Sequence, residues 1–574
     1  MYILGLNIYH GDSSACIIKD GEVIVASEEE RFRRIKHWAG FPSESIRFCL
    51  QDVNISISEI DHITVSRDTK ANFFKKIKYV LTNGWAFKNL INRFINSKKI
   101  TSIQKELEQE FNVSLSSLKL KIHEIEHHRS HLASAFFASS FSESALLSID
   151  GFGDFTSTMM AVGKKNKINV IESLNFPHSL GIFYTAATQF LGFLKYGDEY
   201  KVMGLAPYGK PIYKKQFASM IRLLNNGFFK LNTKYFQHAK SGVDMSFNNQ
   251  EPHIDVLFTS LWSDLFGEKR STDENINQFH MDFASSVQAV TEEVIFHIVN
   301  HLHKKTGLKN LCLAGGVAQN SVANGKILLK TPFKQIYIPS AGHDAGTSIG
   351  SAYYLYNHIF GNARGSEVKH AYFGAKPTSQ DIMACIEEYS LNYIHLKDED
   401  LFKEIVKNLI NGGVVGWFQG RAEFGPRALG HRSILADPRR KDAKSLINKK
   451  IKMRENFRPF APSILKEYVS DYFESSDNTP FMEKVFKIKE DKRSQIPAVT
   501  HVDGTGRLQT VDFESSPRYY ALIDAFRKKT GIPILLNTSF NENEPIVNSV
   551  DDAVKCFLRT KMDILVLSNI IITR

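Results

Sequence analysis

Two histidines and two aspartates have the residue types and spacing of a metal site. His127 and His131 lie four residues apart in EHHRSHLASAFFAS, a stretch of helical periodicity, so both imidazoles can project from one helix face. Asp150 ends an apolar strand pattern, and Asp344 lies in the Gly-rich loop SAGHDAGTSIG after another. Two imidazoles and two carboxylates suit Fe²⁺ or Mn²⁺, with Zn²⁺ as a further option. The sequence therefore predicts a metal centre, provided that the fold brings the four residues together.

A cationic stretch in the last third of the chain predicts a polyphosphate site. Residues 421–460 contain twelve Lys or Arg and four Asp or Glu, interleaved with Gly and Pro. Guanidinium groups bind phosphate oxygens in pairs, and turns at Gly425-Pro426 and Gly430 can aim several of them at one point. A solvated basic surface is the alternative. The candidates alternate with apolar residues that would anchor the backbone, and they are Arg427, Arg432, Lys452 and Arg458.

Other loops place polar groups at the ends of strand patterns, where ligand contacts are common. The segment KNLCLAGG ends in two glycines before a helical stretch, and such a junction admits close backbone approach and favours anions. HVDGTGR contains a Gly-rich turn, and LLNTSFNENEPIV continues past a strand that reads as buried. The candidates in these loops are Gly315, Gly316, Arg507, Ser539 and Asn541.

An internal repeat indicates how the first part of the chain is built. YILGLNI, YHGDSS, ACIIKDG and EVIVASEE read as strand, loop, strand and strand, and the pattern recurs from Ala145 as ALLSID, GFGDF, TSTMMAVGKKNK and INVIESL. The two loops align at Gly11-Asp12 and Gly153-Asp154. Paired lobes that open with such a meander are typical of the actin-like sugar-kinase architecture, and two unrelated hairpins are the alternative.

Composition limits the class of protein. The chain has 574 residues, of which 43% are apolar, so it predicts two to four folded domains and excludes disorder. Five scattered cysteines indicate neither a disulfide framework nor a thiolate zinc site and favour a reducing cytoplasm. A net charge of +11 permits an anionic partner without choosing one. With no run of 18 apolar residues, a membrane-spanning segment is not expected.

Two segments interrupt the regular pattern. Around residues 357–378 periodicity lapses into Gly, Asn, Ser and Pro, which predicts a connection between an α/β domain at 1–360 and a second α/β unit at 361–574. Between Lys70 and Lys99, lysines alternate with aromatic residues. This favours an amphipathic helical insertion over a nucleic-acid or membrane contact, with the following residues buried: Phe73, Phe74, Trp85 and Phe87.

A series of longer motifs extends along the whole chain. They are, in order, YHGDSSACI, EEERFRRIKHWAGFP, EHHRSHLASAFF, SIDGFGDF, YKVMGLAPYG, LAGGVAQNSVANGK, SAGHDAGTSIG, GRAEFGPRALGHRSILADPR, FRPFAPSIL, HVDGTGR and LNTSFNENEPIV. With them the chain resembles the O-carbamoyltransferases of nodulation and antibiotic-biosynthesis pathways. The resemblance implies an N-terminal actin-like domain with a duplicated ribonuclease-H-like fold. It also implies a C-terminal YrdC-like domain, which gives an α/β protein overall.

The resemblance also implies a reaction in two stages. Carbamoyl phosphate and ATP, the latter with Mg²⁺, would give carbamoyl adenylate in the C-terminal domain, with release of phosphate and pyrophosphate. The carbamoyl group would then pass, beside an iron ion, to a hydroxyl of a small natural-product or sugar acceptor in the N-terminal domain. Neither nucleic acid nor membrane is expected as a partner, and a homodimer is our guess for the assembly.

Residue roles follow from the same resemblance. Phosphates or the carbamoyl group would be held by Arg427, Lys452, Arg458 and Arg507, and Ser539 and Asn541 would complete that pocket. The nucleoside would contact Gly315, Gly316 and Asn320, and the iron would be held by His127, His131, Asp150 and Asp344. His10, near Asp12, is the candidate that orients or deprotonates the acceptor hydroxyl.

Two alternatives and two departures accompany this interpretation. A tRNA-modifying carbamoyl-type transferase would suit the charge of +11, but the order of the domains is that of the small-molecule family. A non-catalytic actin-like nucleotide sensor would leave the metal ligands and the second domain unexplained. Some relatives have a Gly-containing form of the segment around Asn543 and an Ala at the position of Gly506, which leaves open the detailed contacts of the adenylation pocket.

Overall fold

Two sheets with the same strand order organise the first part of the protein. The computed structural model describes residues 1–83, 103–114, 121–243, 245–248 and 251–574. The first sheet has the order β3-β2-β1-β4-β5, in which β1–β3 form an antiparallel meander and β1, β4 and β5 are parallel. Its strands are β1 Tyr2–Asn7, β2 Ser14–Lys19, β3 Glu22–Glu28, β4 His62–Val65 and β5 Ile122–Glu124.

The second sheet repeats the first. The next strands along the chain are β6 Glu143–Gly153, β7 Thr156–Lys164, β8 Lys167–Asn175, β9 Ile221–Leu223, β10 Phe229–Leu231, β11 Met245–Asn248, β12 Glu251–Ile254, β13 Asn310–Ala314 and β14 Gln335–Tyr337. Strands β9 and β10 form one small hairpin, and β11 and β12 form another. The other five strands have the order β14-β13-β6-β7-β8, with an antiparallel meander and two parallel partners. The duplicated, actin-like architecture is confirmed, and the alternative of two unrelated hairpins is wrong.

Helices surround these sheets. The first group comprises α1 Glu30–Arg33, α2 Ser43–Val53, α3 Phe73–Asn83, α4 Ile103–Phe111, α5 His127–Phe136, α6 Leu180–Phe190, α7 Glu199–Leu205, α8 Lys214–Ala218, α9 His238–Ser241, α10 Leu261–Phe266, α11 Gln278–Thr306, α12 Ser321–Lys330 and α13 Thr347–Tyr353. Helices α5 and α13 pack on each other, α13 against β1 and β2 and α5 against β6 and β13. A Cβ atom on Gly350 would collide with the carbonyl oxygen of Ser130, so glycine permits this close crossing. The contact brings both helices between the two sheets.

A nine-stranded mixed sheet organises the rest of the chain. Its order is β15-β23-β22-β16-β17-β21-β18-β20-β19. The strands are β15 Ile394–His395, β16 Val415–Phe418, β17 Arg432–Ala436, β18 Ala461–Leu465, β19 Lys484–Lys487, β20 Thr505–Val511, β21 Ile534–Ser539, β22 Ile564–Leu567 and β23 Ile570–Thr573. The helices are α14 Ser379–Glu388, α15 Asp398–Ile410, α16 Ala443–Lys450, α17 Val469–Tyr472, α18 Glu490–Arg493, α19 Pro517–Thr530 and α20 Val550–Arg559. The predicted α/β character of this part is confirmed.

We call the part with the two five-stranded sheets the first unit and the part with the nine-stranded sheet the second unit. Residues 361–378, between them, form neither helix nor strand. The boundary between 1–360 and 361–574 stays a prediction. The units touch where α12 packs on β19, and the side-chain amide of Asn324 donates to the carbonyl oxygen of Glu483 at 3.0 Å.

Replacing Gly325 with alanine is expected to destabilise this contact between the units. A Cβ atom at Gly325 would lie far inside van der Waals contact of the Val485 carbonyl oxygen. Overpacking of this kind costs about 1–3 kcal/mol of unfolding free energy, to be measured by urea denaturation. Gly204→Ala is the matched control, since Gly204 also lies in a helix facing the second unit but its Cβ would meet only Pro459 Cδ at 3.5 Å. Equal stability of the two variants would contradict the prediction.

The lysine-rich helix α3 differs from expectation in which residues it buries. A helix is confirmed at Phe73–Asn83. Phe73 and Phe74 are 56% and 85% exposed, so the prediction that they are buried is wrong. The physical reason is that the helix packs through Tyr79, whose ring contacts Phe155 and Phe176 edge to face. The predicted burial of Trp85 and Phe87 lies outside the described residues. Among the described residues, no helix combines the length and apolarity needed to cross a membrane.

Candidate active site

Two histidines and two aspartates meet where α5, β6 and the turn before α13 converge. The Nε2 atoms of His127 and His131 are 3.0 Å apart on α5. Asp150 Oδ2 lies 3.1 Å from His127 Nε2, and Asp344 Oδ1 lies 3.2 Å from His131 Nε2. All four residues are buried, and one donor atom of each lies within 4.8 Å of the others. The structure thus brings together the predicted metal ligands, which we call the His₂Asp₂ cluster.

Local backbone features hold this cluster in place. A Cβ atom on Gly153 would overlap the His127 ring, so only glycine admits the imidazole there. The Asp154 carboxylate accepts the backbone N–H of His127 at 2.9 Å, and Asp150 Oδ1 accepts the backbone N–H of Gly316 at 2.8 Å. Asp154, in the second loop of the internal repeat, therefore holds the backbone of His127. Because Gly316 engages Oδ1 of Asp150, Oδ2 remains available to the cluster.

The electrostatics of the cluster fit a divalent cation. Burial alone would lower the pKa of His127 and of His131, but hydrogen bonds to the carboxylates of Asp150 and Asp344 outweigh it and raise both pKa values. Burial would raise the pKa of the carboxyls, yet the neighbouring imidazoles hold the pKa of Asp150 and of Asp344 below its usual range. Since metal ligands bind deprotonated, a divalent cation would replace the shared protons at these four donors.

The first loop of the repeat adds titratable groups beside the cluster. His10 Nδ1 lies 2.5 Å from Asp344 Oδ2, and its ring centroid is 5.2 Å from that of His127. Asp12 Oδ1 lies 2.7 Å from His37 Nδ1. Burial would lower the pKa of His37, but the Asp12 carboxylate outweighs this and raises the pKa to about 9. His10 and Asp12 therefore lie together in the first loop of the repeat, as the sequence predicted. His37 was not predicted as a site residue, although the motif that contains it, EEERFRRIKHWAGFP, was recognised.

One cavity connects this cluster with the second unit. It has a volume of about 470 Å³ and reaches from His10, Asp12, Asp150 and Asp344 to four arginines, which we call the arginine cluster: Arg427, Arg454, Arg458 and Arg507. Gly316 and Asn320 also line it, and Gly316 lies beside Asp150. The sequence thus predicted residues at both ends, but not that both units close around one space.

The arginine cluster is suited to an anion of several charges. Burial and the neighbouring arginines lower the pKa of Arg507 well below its usual value, and burial lowers the pKa of Arg427 to about 10 and that of Arg454 to about 9. Arg507 Nε is buried without a hydrogen-bond partner in the structure. A polyphosphate would satisfy these donors and relieve the repulsion among the guanidinium groups. Arg454 was not predicted, since nothing in the sequence separates it from the surrounding basic residues.

Lys452 organises the loop beside the arginines. Its ammonium donates to Asn541 Oδ1 at 2.6 Å, to the Asn541 carbonyl oxygen at 2.9 Å and to the Ser539 carbonyl oxygen at 2.5 Å. Burial lowers the pKa of Lys452 well below its usual value. The three residues line the cavity, as predicted, and the lysine holds the loop after β21 in place.

Arg432 is not part of the cavity wall. It lies in β17, fully buried, and its guanidinium donates to the carbonyl oxygens of Gln419 at 2.5 Å and Ala375 at 2.9 Å. The guanidinium also stacks on the Phe418 ring at 3.7 Å. Because both terminal nitrogens donate to backbone carbonyl oxygens and the residue lies outside the cavity wall, we correct the prediction of a ligand contact to a structural role.

Replacing Arg432 with methionine is therefore expected to lower stability rather than substrate affinity. The variant would leave buried carbonyl oxygens without a donor, which costs about 1–3 kcal/mol of unfolding free energy. Urea denaturation measures that loss, and isothermal titration with ATP should give an unchanged dissociation constant. A weaker affinity at unchanged stability would restore Arg432 as a ligand contact.

The residues of the glycine loop after β13 have two different roles. Gly315 has φ of +95°, where a side chain would be strained, and a Cβ there would collide with the Ile149 carbonyl oxygen. Gly315 therefore shapes the turn, whereas Gly316 and Asn320 line the cavity. The Asn320 side chain also caps α12 by accepting the Ala323 N–H at 3.0 Å and pairs with Gln288.

Comparison with known proteins covers nearly the whole chain. The family model described as Carbamoyltransferase N-terminus matches residues 2–353, and the one described as Carbamoyltransferase C-terminus matches residues 406–574. The nodulation protein NolNO of Sinorhizobium fredii is 38% identical, over 99% of this chain and 80% of its own length. NolO of Bradyrhizobium diazoefficiens is 41% identical over 78% of both chains. An uncharacterised protein of Synechocystis sp. is 40% identical over 100% of this chain and 97% of its own.

Proposed function

The chain belongs to the carbamoyltransferase family and is an enzyme, and from this premise we propose that it is an ATP-dependent O-carbamoyltransferase with a small-molecule acceptor. The observation that carries the proposal is the single cavity with the arginine cluster at one end and the His₂Asp₂ cluster at the other. One end suits phosphate chemistry, and the other suits activation of a carbonyl group. A reaction whose carbamoyl donor is an adenylate needs both a phosphate-binding site and a site that activates the carbonyl group.

The first stage would take place at the arginine cluster. Water cleaves the bond between the carbamoyl carbon and the phosphate oxygen of carbamoyl phosphate, which gives carbamate and phosphate. A carbamate oxygen then forms a bond to the α-phosphorus of ATP, and pyrophosphate leaves with the electrons of the broken bond. The arginine cluster binds the phosphates of both substrates and stabilises the charge that develops on the departing pyrophosphate. Lys452 fixes Ser539 and Asn541 on the wall of the same pocket.

The second stage would take place at the His₂Asp₂ cluster. The acceptor oxygen forms a bond to the carbamoyl carbon, the bond to the AMP phosphate oxygen breaks, and AMP leaves. When bound by His127, His131, Asp150 and Asp344, a divalent cation supplies a Lewis acid for a carbonyl oxygen, and iron is our proposal for its identity. Gly316 and Asn320 would contact the nucleoside from the cavity wall.

The acceptor proton needs a base near the same end of the cavity. His10 and Asp12 both line the cavity, and Asp12 is hydrogen-bonded to His37. We assign to His10 both the orientation of the acceptor hydroxyl and the acceptance of its proton, since the pKa of about 9 leaves His37 protonated in its pair with Asp12. A base in this position serves transfer alone, since the arginine cluster is at the other end.

The alternatives explain less of the structure. In a tRNA-modifying enzyme the basic residues would be expected along an exposed surface that follows a phosphate backbone. Here the arginine cluster lines a cavity between the units, and burial lowers the pKa of Arg427, Arg454 and Arg507. A nucleotide sensor would have no use for the His₂Asp₂ cluster.

The experiment that tests the proposal follows phosphate, pyrophosphate and AMP in one reaction. Purified protein reconstituted with Fe²⁺ receives ATP, Mg²⁺ and carbamoyl phosphate, with glycerol as a hydroxyl probe. The proposal predicts that pyrophosphate forms only when both substrates are present, and that with both present phosphate and pyrophosphate form in equal amounts. Release of phosphate alone, or of ADP in place of pyrophosphate, would rule out the adenylate route.

A further inference from the structure

A short segment of the first unit reaches into the second unit and holds the loops that carry the phosphate-binding groups. It comprises residues 28–37, that is, the end of β3, helix α1 and the four residues that follow, and we call it the bridging segment. Glu28, Glu30, Lys36 and His37 line the cavity, whereas Arg31 and Arg34 donate to backbone carbonyl oxygens of the second unit. It is therefore placed to act on the arginine cluster through other residues.

The first contact is with the loop that leads into Arg427. Glu28 Oε1 accepts the backbone N–H of Gly425 at 2.8 Å, and Arg31 Nη2 donates to the Gly425 carbonyl oxygen at 2.6 Å. Glu28 and Arg31 are themselves paired at 3.2 Å, and both are buried. Both backbone polar groups of Gly425, two residues before Arg427, are thus fixed by side chains of the first unit.

The second contact is with the loop that follows β21. The two terminal nitrogens of Arg34 donate to consecutive carbonyl oxygens, Nη2 to Pro545 at 2.6 Å and Nη1 to Ile546 at 2.8 Å. Arg34 Nε also lies 3.2 Å from Asp552 Oδ1. This loop contains Asn541, whose side chain accepts the Lys452 ammonium and donates to the Glu544 carbonyl oxygen.

The other end of the bridging segment contacts the site of transfer. Glu30 Oε2 accepts the backbone N–H of His37 at 2.8 Å, and His37 in turn holds Asp12 at 2.7 Å. A segment of ten residues therefore connects both ends of the cavity through hydrogen bonds. The loops at the arginine end of the cavity are thus held in part by side chains of the first unit.

We propose that the bridging segment is a positioning element for adenylate formation, in which Arg31 sets the Gly425 loop and Arg34 sets the loop from Asn541 to Ile546. The chemistry at that pocket rests on the proposed function, whereas the contacts do not. Removal of Arg31 would leave the buried Glu28 carboxylate without its partner, and the resulting loss of folding would obscure the positioning role of Arg31. Arg34 is only partly buried and pairs chiefly with carbonyl oxygens, which makes it the residue to test.

The test compares Arg34→Ala and Arg34→Lys with a control in the same interface. Arg421→Ala is matched, because Arg421 also pairs across the units, with Asp52 at 2.8 Å and 3.1 Å. Like Gly425 it lies between β16 and β17, but its side chain contacts Asp52 and the Gly374 carbonyl oxygen rather than Gly425 or residues 541–546. We expect Arg34→Ala to raise the KM for ATP in pyrophosphate formation by roughly tenfold to a hundredfold, as for lost hydrogen bonds to a charged group. Arg34→Lys should recover part of this, and Arg421→Ala should match the wild type. The melting temperatures of Arg34→Ala and Arg421→Ala should agree.

Two readouts separate the inference from the proposed function. Calorimetric titration with ATP reports whether the pocket is formed, and pyrophosphate release reports whether it reacts. If Arg34→Ala binds ATP and forms pyrophosphate as Arg421→Ala does, the positioning role is wrong even though the enzyme is an adenylating one. If the wild type binds ATP without forming pyrophosphate, the proposed function fails, and a weaker ATP affinity in Arg34→Ala alone still supports the positioning role. If wild type and Arg34→Ala bind ATP equally, the inference is overturned.

Discussion

Replacing Asp344 with asparagine is expected to reduce AMP release strongly and to leave the first turnover of pyrophosphate formation from ATP and carbamoyl phosphate intact. Asparagine keeps the shape of the side chain but removes one of the two carboxylate charges of the His₂Asp₂ cluster. It also weakens the contact with His10, which lies 2.5 Å from Asp344 Oδ2. Residues that only hydrogen-bond to a metal ligand typically contribute about tenfold to a hundredfold to metal affinity or activity. Loss of a ligand itself should therefore reduce AMP release, measured with glycerol as the acceptor, by at least roughly a hundredfold.

Metal content and the first turnover provide the accompanying measurements. The variant should retain little iron by elemental analysis after reconstitution, and its pyrophosphate burst should equal that of the wild type. Asp437→Asn is the control, because Asp437 is equally buried and paired, with Arg439, but lies outside the cavity wall. If Asp344→Asn keeps its metal and loses both half-reactions together, the assignment of transfer to this cluster is wrong.

Replacing Arg507 with alanine is expected to impair the first half-reaction, and AMP release with it, because transfer consumes the adenylate. Pyrophosphate formation should fall by roughly a hundredfold to a thousandfold, the effect of removing one donor that stabilises developing charge in a dry site. Iron content should not change, since the arginine cluster is at the other end of the cavity. The reason for so large an effect is that Arg507 lines the cavity and its buried Nε has no partner in the structure, so this donor is free to bind a phosphate.

Quenched-flow measurement of pyrophosphate with the two substrates tests this prediction. Arg440→Ala is the control from the same cationic stretch, since Arg440 pairs with Asp442 away from the cavity. If Arg507→Ala formed pyrophosphate at the wild-type rate, the adenylating site would lie elsewhere in the protein. Loss of pyrophosphate in Arg440→Ala as well would indicate a general effect of charge rather than a specific contact.

Local patterns predicted the ligands of the His₂Asp₂ cluster because each pattern indicates the helix or strand that carries the residue. The spacing of His127 and His131 indicates one face of a helix. Asp150 and Asp344 come at or after the end of apolar strand patterns, where ligand residues are common, although β6 itself continues to Gly153. Their convergence depends on the packing of α5 against α13, which no single pattern contains. The duplicated loops, by contrast, were visible as a repeat, and the two sheets have the same order.

The basic residues show where sequence patterns fail. Arg432 and Arg427 both alternate with apolar residues, but Arg432 lies within β17 and is engaged by carbonyl oxygens, whereas Arg427 lies in a loop that faces the cavity. Arg454 was missed because it differs from its basic neighbours only in orientation. The role inferred for Arg34 depends on carbonyl oxygens about five hundred residues away, which a local pattern cannot contain.

The central claim is that the arginine cluster makes carbamoyl adenylate and that the His₂Asp₂ cluster consumes it. The most direct measurement is acid-quench mass spectrometry of Asp344→Asn after incubation with ATP, Mg²⁺ and ¹³C-labelled carbamoyl phosphate. Labelled carbamoyl adenylate, stoichiometric with the enzyme and accompanied by equal phosphate and pyrophosphate, is the predicted result. Absence of both the adenylate and pyrophosphate, while the wild type consumes carbamoyl phosphate, would contradict the account.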